Sequence, residues 1–339
     1  MKAIFSLISA ALLLAIASSA DAGQTFDAVK SRGQVVCGVH TGLGGFGAPD
    51  QKGNWTGLDV DVCRAVAAAM FGDATKVRYV PLSAQQRLPA LQSGEVDLLS
   101  RNTTWTLTRE GSNGLLFTGV DFYDGQGFLV AKKLGVKSAK ELNGATVCVQ
   151  TGTTTELNLS DFARANKLDI KPVTIESFEA AASTFMSGRC DAMTSDGSQL
   201  AAIRANQTPV PDDYVILPER ISKEPLATAV RQGDDQWFNL VKWAFQAMID
   251  AEERGLTSAN VDDQLKSVDP NVQRLLGVTP GMGKSLGVDE KWAYNIIKQV
   301  GNYGESYDRN VGRNSNLKLD RGLNDLWTRG GLMYAMPIR

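Results

Sequence analysis

Short apolar runs of five or six residues alternate along the chain with longer amphipathic stretches. Residues 34–39, 76–82 and 96–99 are apolar, β-branched runs bounded by Gly, Asp and Ser, and they read as strands. Between them, residues 58–71 and 84–92 carry apolar positions at helical spacing. The same order returns further along: strand 145–150, helix 154–166, strand 170–174, helix 177–187, strand 191–195. Alternation of this kind predicts parallel sheets with helices on both faces. The repetition predicts two α/β lobes of similar design with a cleft between them. Residues 127–131 and 225–230 are further extended apolar runs. As crossing strands they take the chain out of lobe one near 128 and back near 226. The expected division is therefore 23–128 with 226–339 for lobe one and 129–225 for lobe two. From Asp234 onward the pattern is helical, with Trp237, Val241, Trp243, Phe245 and Met248 as core positions. Residues 279–339, rich in Gly, Asn and aromatics, are expected as helices and loops packed on the body.

The first residues follow a different rule. Lys2, an apolar run over 10–17 and Ser18-Ser19-Ala20-Asp21-Ala22 have the form of a secretory signal peptide, residues 1–22, with cleavage after Ala22. The run is too short for a membrane span, and no later segment reaches roughly 18 apolar residues. With no Cys at the cleavage site, no lipid anchor is expected there. The mature chain is expected in the periplasm. Four cysteines suit that oxidising compartment and allow three pairings. Nearest-neighbour pairing, Cys37–Cys63 and Cys148–Cys190, keeps each bridge within one half of the chain; buried free thiols are the alternative. Each loop closed is worth about 3–4 kcal/mol on the loop-entropy account.

Charge narrows the partners. The 35 basic and 37 acidic residues nearly cancel, and no basic run suits nucleic acid. The one histidine, His40, argues against a Ser-His-Asp triad or a multi-His metal site. Gly42-Leu-Gly44-Gly-Phe-Gly47 has dinucleotide-loop spacing, but turn residues follow it where a helix must open. Gly281-Met-Gly283-Lys284-Ser285 resembles the end of a phosphate loop, yet Val278 stands where that motif starts with Gly. No cofactor or metal is expected.

Three segments carry candidate chemistry, each at a strand end. Residues 97–109 run Asp-Leu-Leu-Ser-Arg-Asn-Thr-Thr-Trp-Thr-Leu-Thr-Arg, so the hydroxyls of this stretch and the Arg109 guanidinium suit a carboxylate. A plain loop and helix cap with a solvated arginine accounts for the same residues. Gly152-Thr153-Thr154 feeds a helix and offers backbone N–H groups to an anion. Read structurally, Thr153 is an N-cap with Glu156 completing a capping box. Asp196 ends a strand, where open α/β sheets bind ligands, and pairs with an ammonium group; alternatively it is a turn residue before Gly197. A carboxylate clamp opposite an ammonium partner fits an α-amino acid zwitterion, whose charges are each costly to bury alone.

Taken together, these segments resemble the polar amino-acid periplasmic binding proteins of ABC transporters, solute-binding family 3. Gly57-Leu-Asp59-Val-Asp61-Val, the hydroxyl-rich stretch ending in Arg109, the Gly152-Thr-Thr turn and Gly188-Arg-Cys-Asp191-Ala ahead of Asp196 carry the resemblance over nearly the whole mature chain. Gln85-Gln86-Arg87 and the long C-terminal region are nearest to the general L-amino-acid and glutamate/aspartate/glutamine branch. The resemblance implies a type II two-lobed fold. By position, it implies that Arg109 binds the ligand α-carboxylate with further donors from Thr104 and the Thr154 backbone, that Asn102 supplies its backbone or amide, and that closure brings in Thr153 and Thr154. Asp196 then takes the α-ammonium and Phe46 covers the ligand from lobe one. Arg87 and Arg101 stand where side-chain contacts are expected; solvated surface arginines are the alternative for both. The implied partners are an L-amino acid and an inner-membrane permease with its ATPase, served by a monomer that is not an enzyme. An enzyme of the cyclohexadienyl dehydratase kind and a chemoreceptor-linked sensor are the competing functions.

Overall fold

A computed structural model describes residues 24–339, so the expected signal peptide lies outside the described residues. Two five-stranded sheets organise the molecule. In the first, the spatial order is Val77–Leu82, Val35–His40, Leu98–Leu99, Glu224–Arg231, Leu115–Asp124. In the second it is Lys171–Ile175, Thr146–Gln150, Ala192–Asp196, Gln126–Ala131, Tyr214–Ile216. The two orders match strand for strand. Three parallel strands, each followed by a helix, are flanked by two strands that belong to the crossings.

This corrects the expectation of all-parallel sheets. Glu224–Arg231 runs antiparallel to both its neighbours, and so does Gln126–Ala131. A strand that enters its sheet straight from the other lobe, without a crossover helix, arrives in the opposite direction. The hand-over points also differ. Leu115–Asp124 is a ten-residue strand of the first sheet, and Gln126 already belongs to the second. The outward crossing is therefore Gly125, not residue 128. A Cβ on Gly125 would stand 2.9 Å from the Ser222 carbonyl of the returning segment, so the two crossings pass closely only because this residue is glycine.

The helices sit where the apolar spacing put them. Leu58–Phe71 and Thr154–Asn166 match their expected bounds, and Arg87–Ser93 and Phe178–Met186 begin slightly later. Asp235–Glu253, capped by Asp234, packs on Leu58–Phe71 and on strand Leu115–Asp124. Helices Trp292–Gln299 and Tyr303–Asn310 close over the same surface, and Trp237, Trp292, Tyr303 and Tyr307 are fully buried there. The C-terminal region is thus part of the first lobe's core. Cys37 joins Cys63, and Cys148 joins Cys190, each tying a strand to a neighbouring segment of its own lobe. Among the described residues no helix is long and apolar enough to cross a membrane.

Candidate functional site

The site forms where the C-terminal ends of the parallel strands in the two sheets face each other. On the lobe-one side, the chain leaves Leu98–Leu99 and turns sharply at Asn102, which has a positive φ of 33°. Asp59, at the start of helix Leu58–Phe71, holds this turn by accepting from the Asn102 N–H at 2.9 Å. Gly57 lets the helix start there: it has φ 136°, and a Cβ would lie 2.0 Å from the Phe46 carbonyl. Burial pushes the Asp59 carboxyl up to about 7, against the pull of the Asn102 N–H and Arg101. Asp61 does a different job, accepting from Ser306 Oγ and Asn310 Nδ2 at 2.7 Å each. The two acids of the Gly57–Asp61 motif therefore brace the binding turn and the C-terminal helix.

The hydroxyl-rich stretch is not a free loop. The Trp105 N–H donates to the Pro225 carbonyl at 2.8 Å and the Ala227 N–H to that of Thr103 at 3.0 Å, so residues 103–105 pair with the return strand. Thr106 then caps helix Leu107–Asn113 by accepting from the Arg109 N–H. The cap reading and the buried-site reading both hold, because Arg109 is buried and its Nη1 donates to the Thr104 carbonyl at 2.8 Å. Arg109 is held against the Thr104 backbone and does not line the small cavity that remains between the lobes.

Arg87 and Arg101 form that wall, at 3 % and 2 % exposure, so neither is a solvated surface arginine. Arg101 Nε donates to the Leu82 carbonyl at 2.9 Å. Arg87 reaches carbonyls of the turn only at 3.4–3.5 Å. Burial lowers the Arg101 guanidinium to about 10 and lowers Arg87 as well, with the neighbouring arginines adding to the effect.

On the lobe-two side, Gly152-Thr153-Thr154 opens helix Thr154–Asn166. Thr153 accepts from the Glu156 N–H at 3.2 Å, while Glu156 reaches back to the Gly152 N–H at 2.9 Å, one residue short of a full capping box. Asp196, at the end of strand Ala192–Asp196, caps nothing. Gln199 donates to its Oδ2 at 3.3 Å, and Oδ1 has no partner. Burial holds the Asp196 carboxyl well above its usual range; Asp124 and Glu224 push it further, and Arg87 and Arg109 oppose them.

The arrangement brings Arg87, Arg101, Asn102, Thr104, Thr153, Thr154 and Asp196 around one cavity of about 20 Å³. That volume holds about one water, so an amino acid enters only if the lobes part. Three polar atoms at this cavity lack hydrogen-bond partners: Arg87 Nε, Arg101 Nη2 and Asp196 Oδ1. Buried groups of this kind are normally satisfied, and two cationic donors opposite one anionic acceptor complement a molecule bearing a carboxylate and an ammonium.

One expected residue is misplaced. Phe46 is fully buried in the lobe-one core, edge-on to Phe122 at 5.2 Å, and does not reach the cleft. Its carbonyl accepts from the Asp59 N–H at 3.1 Å, which fixes the loop so that the ring turns inward. The sequence reading also missed Gln150, Ser195, Gln199 and Glu224. The first three line the cavity, and Gln199 follows Asp196 by one helical turn, a spacing that carries the signal. Glu224 has no sequence signal, since a lone acid before an apolar run looks like a strand cap. The glycine decoys also resolve: after Gly42–Gly47 come two short strands, and Glu290 occupies the N–H groups of Gly281, Gly283 and Lys284.

Known proteins resemble this chain in sequence and in fold. The family model of bacterial extracellular solute-binding proteins, family 3, matches residues 35–256. A general L-amino acid-binding periplasmic protein of Rhizobium johnstonii is 53% identical, covering 98% of this chain and 99% of its own. A glutamate/glutamine/aspartate/asparagine-binding protein of Rhodobacter capsulatus is 51% identical, over 100% and 99%. Among solved structures, an ABC transporter periplasmic binding protein from Brucella ovis with glutathione bound superposes with a TM-score of 0.91 at 53% identity, over 93% and 99% of the two chains. The chain belongs to the bacterial extracellular solute-binding proteins, family 3.

Proposed function

We propose that this chain captures an L-amino acid as its zwitterion in the periplasm and delivers it to an ABC permease in the inner membrane. The observation that carries the reading is the set of unpartnered atoms on opposite lobes: Arg87 Nε and Arg101 Nη2 on one side, Asp196 Oδ1 on the other. The α-carboxylate docks on the arginine side, with Arg109 supplying positive charge from its place against the Thr104 backbone. The α-ammonium meets Asp196. Hinge closure at the two crossings completes the site and excludes water, as the handling of both charges requires. The relatives' printed ligands support L-amino acids, with glutamate, glutamine, aspartate and asparagine first among them. Arg87 and Arg101 then serve acidic or amide side chains as well as the backbone carboxylate. The signal peptide is removed after Ala22, the mature chain acts as a monomer, and the ligand leaves chemically unchanged.

A second ligand is favoured by the Brucella ovis relative, whose structure holds glutathione. The γ-glutamyl end of that tripeptide carries a free α-carboxylate and α-ammonium, so the same clamp would hold it. A thermal-shift screen with the twenty amino acids and glutathione tests both, because ligand binding raises the melting temperature by mass action. Shifts with Glu, Gln, Asp or Asn support the first reading, and a shift with glutathione alone supports the second. No shift with any of them refutes the proposal.

A further inference from the structure

Glu224 opens the return strand Glu224–Arg231 and is 1% exposed. Its carboxylate accepts four hydrogen bonds. Oε2 receives Thr104 Oγ1 at 2.6 Å and Thr154 Oγ1 at 2.9 Å. Oε1 receives Asn158 Nδ2 at 2.7 Å and Ser222 Oγ at 2.6 Å. Thr104 belongs to lobe one, Thr154 and Asn158 to the first turns of the lobe-two helix, and Ser222 to the crossing itself. One buried anion therefore ties both lobes together at their pivot. It lies off the cavity wall, and the zwitterion clamp does not require it.

We propose that Glu224 is a hinge latch that sets the balance between open and closed lobes. The inference deepens the capture reading above and rests on it for its role in ligand release. When the lobes part, Thr104 and Ser222 stay with Glu224, because they sit on its own strand pairing or next to it in the chain. Thr154 and Asn158 leave. Two charge-assisted hydrogen bonds are thus made only in the closed form, and the N-terminal end of helix Thr154–Asn166 adds a favourable field for the anion. Bonds of this class shift a two-state equilibrium by about tenfold each. The latch also fixes the polarity of the cleft. With their protons turned to Glu224, the hydroxyls of Thr104 and Thr154 offer lone pairs to the cavity. In the closed state they accept from a ligand donor instead of donating to its carboxylate.

The test compares wild type, Glu224→Gln, Asn158→Ala and the double variant. Asn158 is half-buried and outside the cavity, so its truncation leaves the binding wall intact and keeps the test usable if Glu224→Gln folds poorly. Small-angle scattering without ligand reads lobe opening directly. The latch predicts a larger radius of gyration for both single variants and no further increase in the double variant. Stopped-flow release of bound glutamate should be about tenfold faster in each. Unchanged radius and release in both single variants, or a lower melting temperature as the only change, would overturn the latch. Failure of the wild type to bind any amino acid would instead count against the capture reading, with the scattering result still deciding the latch.

Discussion

Asp196 is costly to ionise until a cation arrives. Its carboxyl is held above the usual range by burial first, then by Asp124 and Glu224. An α-ammonium at Oδ1 lowers it again, so ligand binding releases a proton. The sign follows: affinity rises with pH until the pH passes the ligand-free pKa of Asp196. Calorimetry at one pH in buffers of different ionisation enthalpy should therefore give different observed heats; identical heats in phosphate and imidazole would contradict the role of Asp196. Asp59 acts on stability. Its folded pKa of about 7 lies above the unfolded value of 3.8, so the native state holds a proton between those values that the unfolded state has lost. Stability from this group is fully present below pH 3.8 and is lost as pH rises toward 7. The melting temperature should fall less between pH 4 and pH 7 in Asp59→Asn than in wild type. Equal slopes would show that the turn at Asn102, not the charge, sets the effect. Arg109→Ala removes a buried cation facing Glu224 and Asp196, and glutamate affinity should drop about 100-fold or more by titration.

At the scale of elements, what the sequence made legible was what period alone determines. Helices Leu58–Phe71 and Thr154–Asn166 were readable because their apolar spacing is long and their starts are marked by Gly57 and by Thr153. Strand Leu115–Asp124 was not: its Gly119 and its acids at 121 and 124 break the alternation, although it is the longest strand of its sheet. Strand direction escaped for a different reason. Hydrophobic pattern reports which residues are buried, not which way a crossing strand runs. At the site, the ionic residues Arg109 and Asp196 could be matched by charge and strand-end position. The depth of Arg109 and the inward turn of Phe46 depend on a hydrogen bond from Arg109 to the Thr104 carbonyl and one from the Asp59 N–H to the Phe46 carbonyl, which no spacing encodes. The bridges close loops of 26 and 42 residues. Replacing Cys148 and Cys190 with Ser should cost about 3–4 kcal/mol of lobe-two stability by denaturant unfolding, while lobe one keeps its own transition midpoint. A loss below 1 kcal/mol would show that the native state gains little from the closed loop.

At the scale of the molecule, two sheets of matching strand order face each other across a cleft that is polar, charged and nearly filled. Neither lobe alone holds the complement of a zwitterion: the arginines belong to one and Asp196 to the other. On the proposed reading closure assembles the site, and each charge of the ligand adds to the balance between open and closed lobes that Glu224 sets. The most direct measurement is calorimetric titration of the wild-type protein with glutamate, with glutarate, which lacks the α-ammonium, and with 4-aminobutyrate, which lacks the α-carboxylate. Glutamate should bind in the micromolar range or tighter and each analogue at least about 100-fold more weakly, as expected of a site that pairs both charges. Equal affinity for glutamate and either analogue would contradict that pairing.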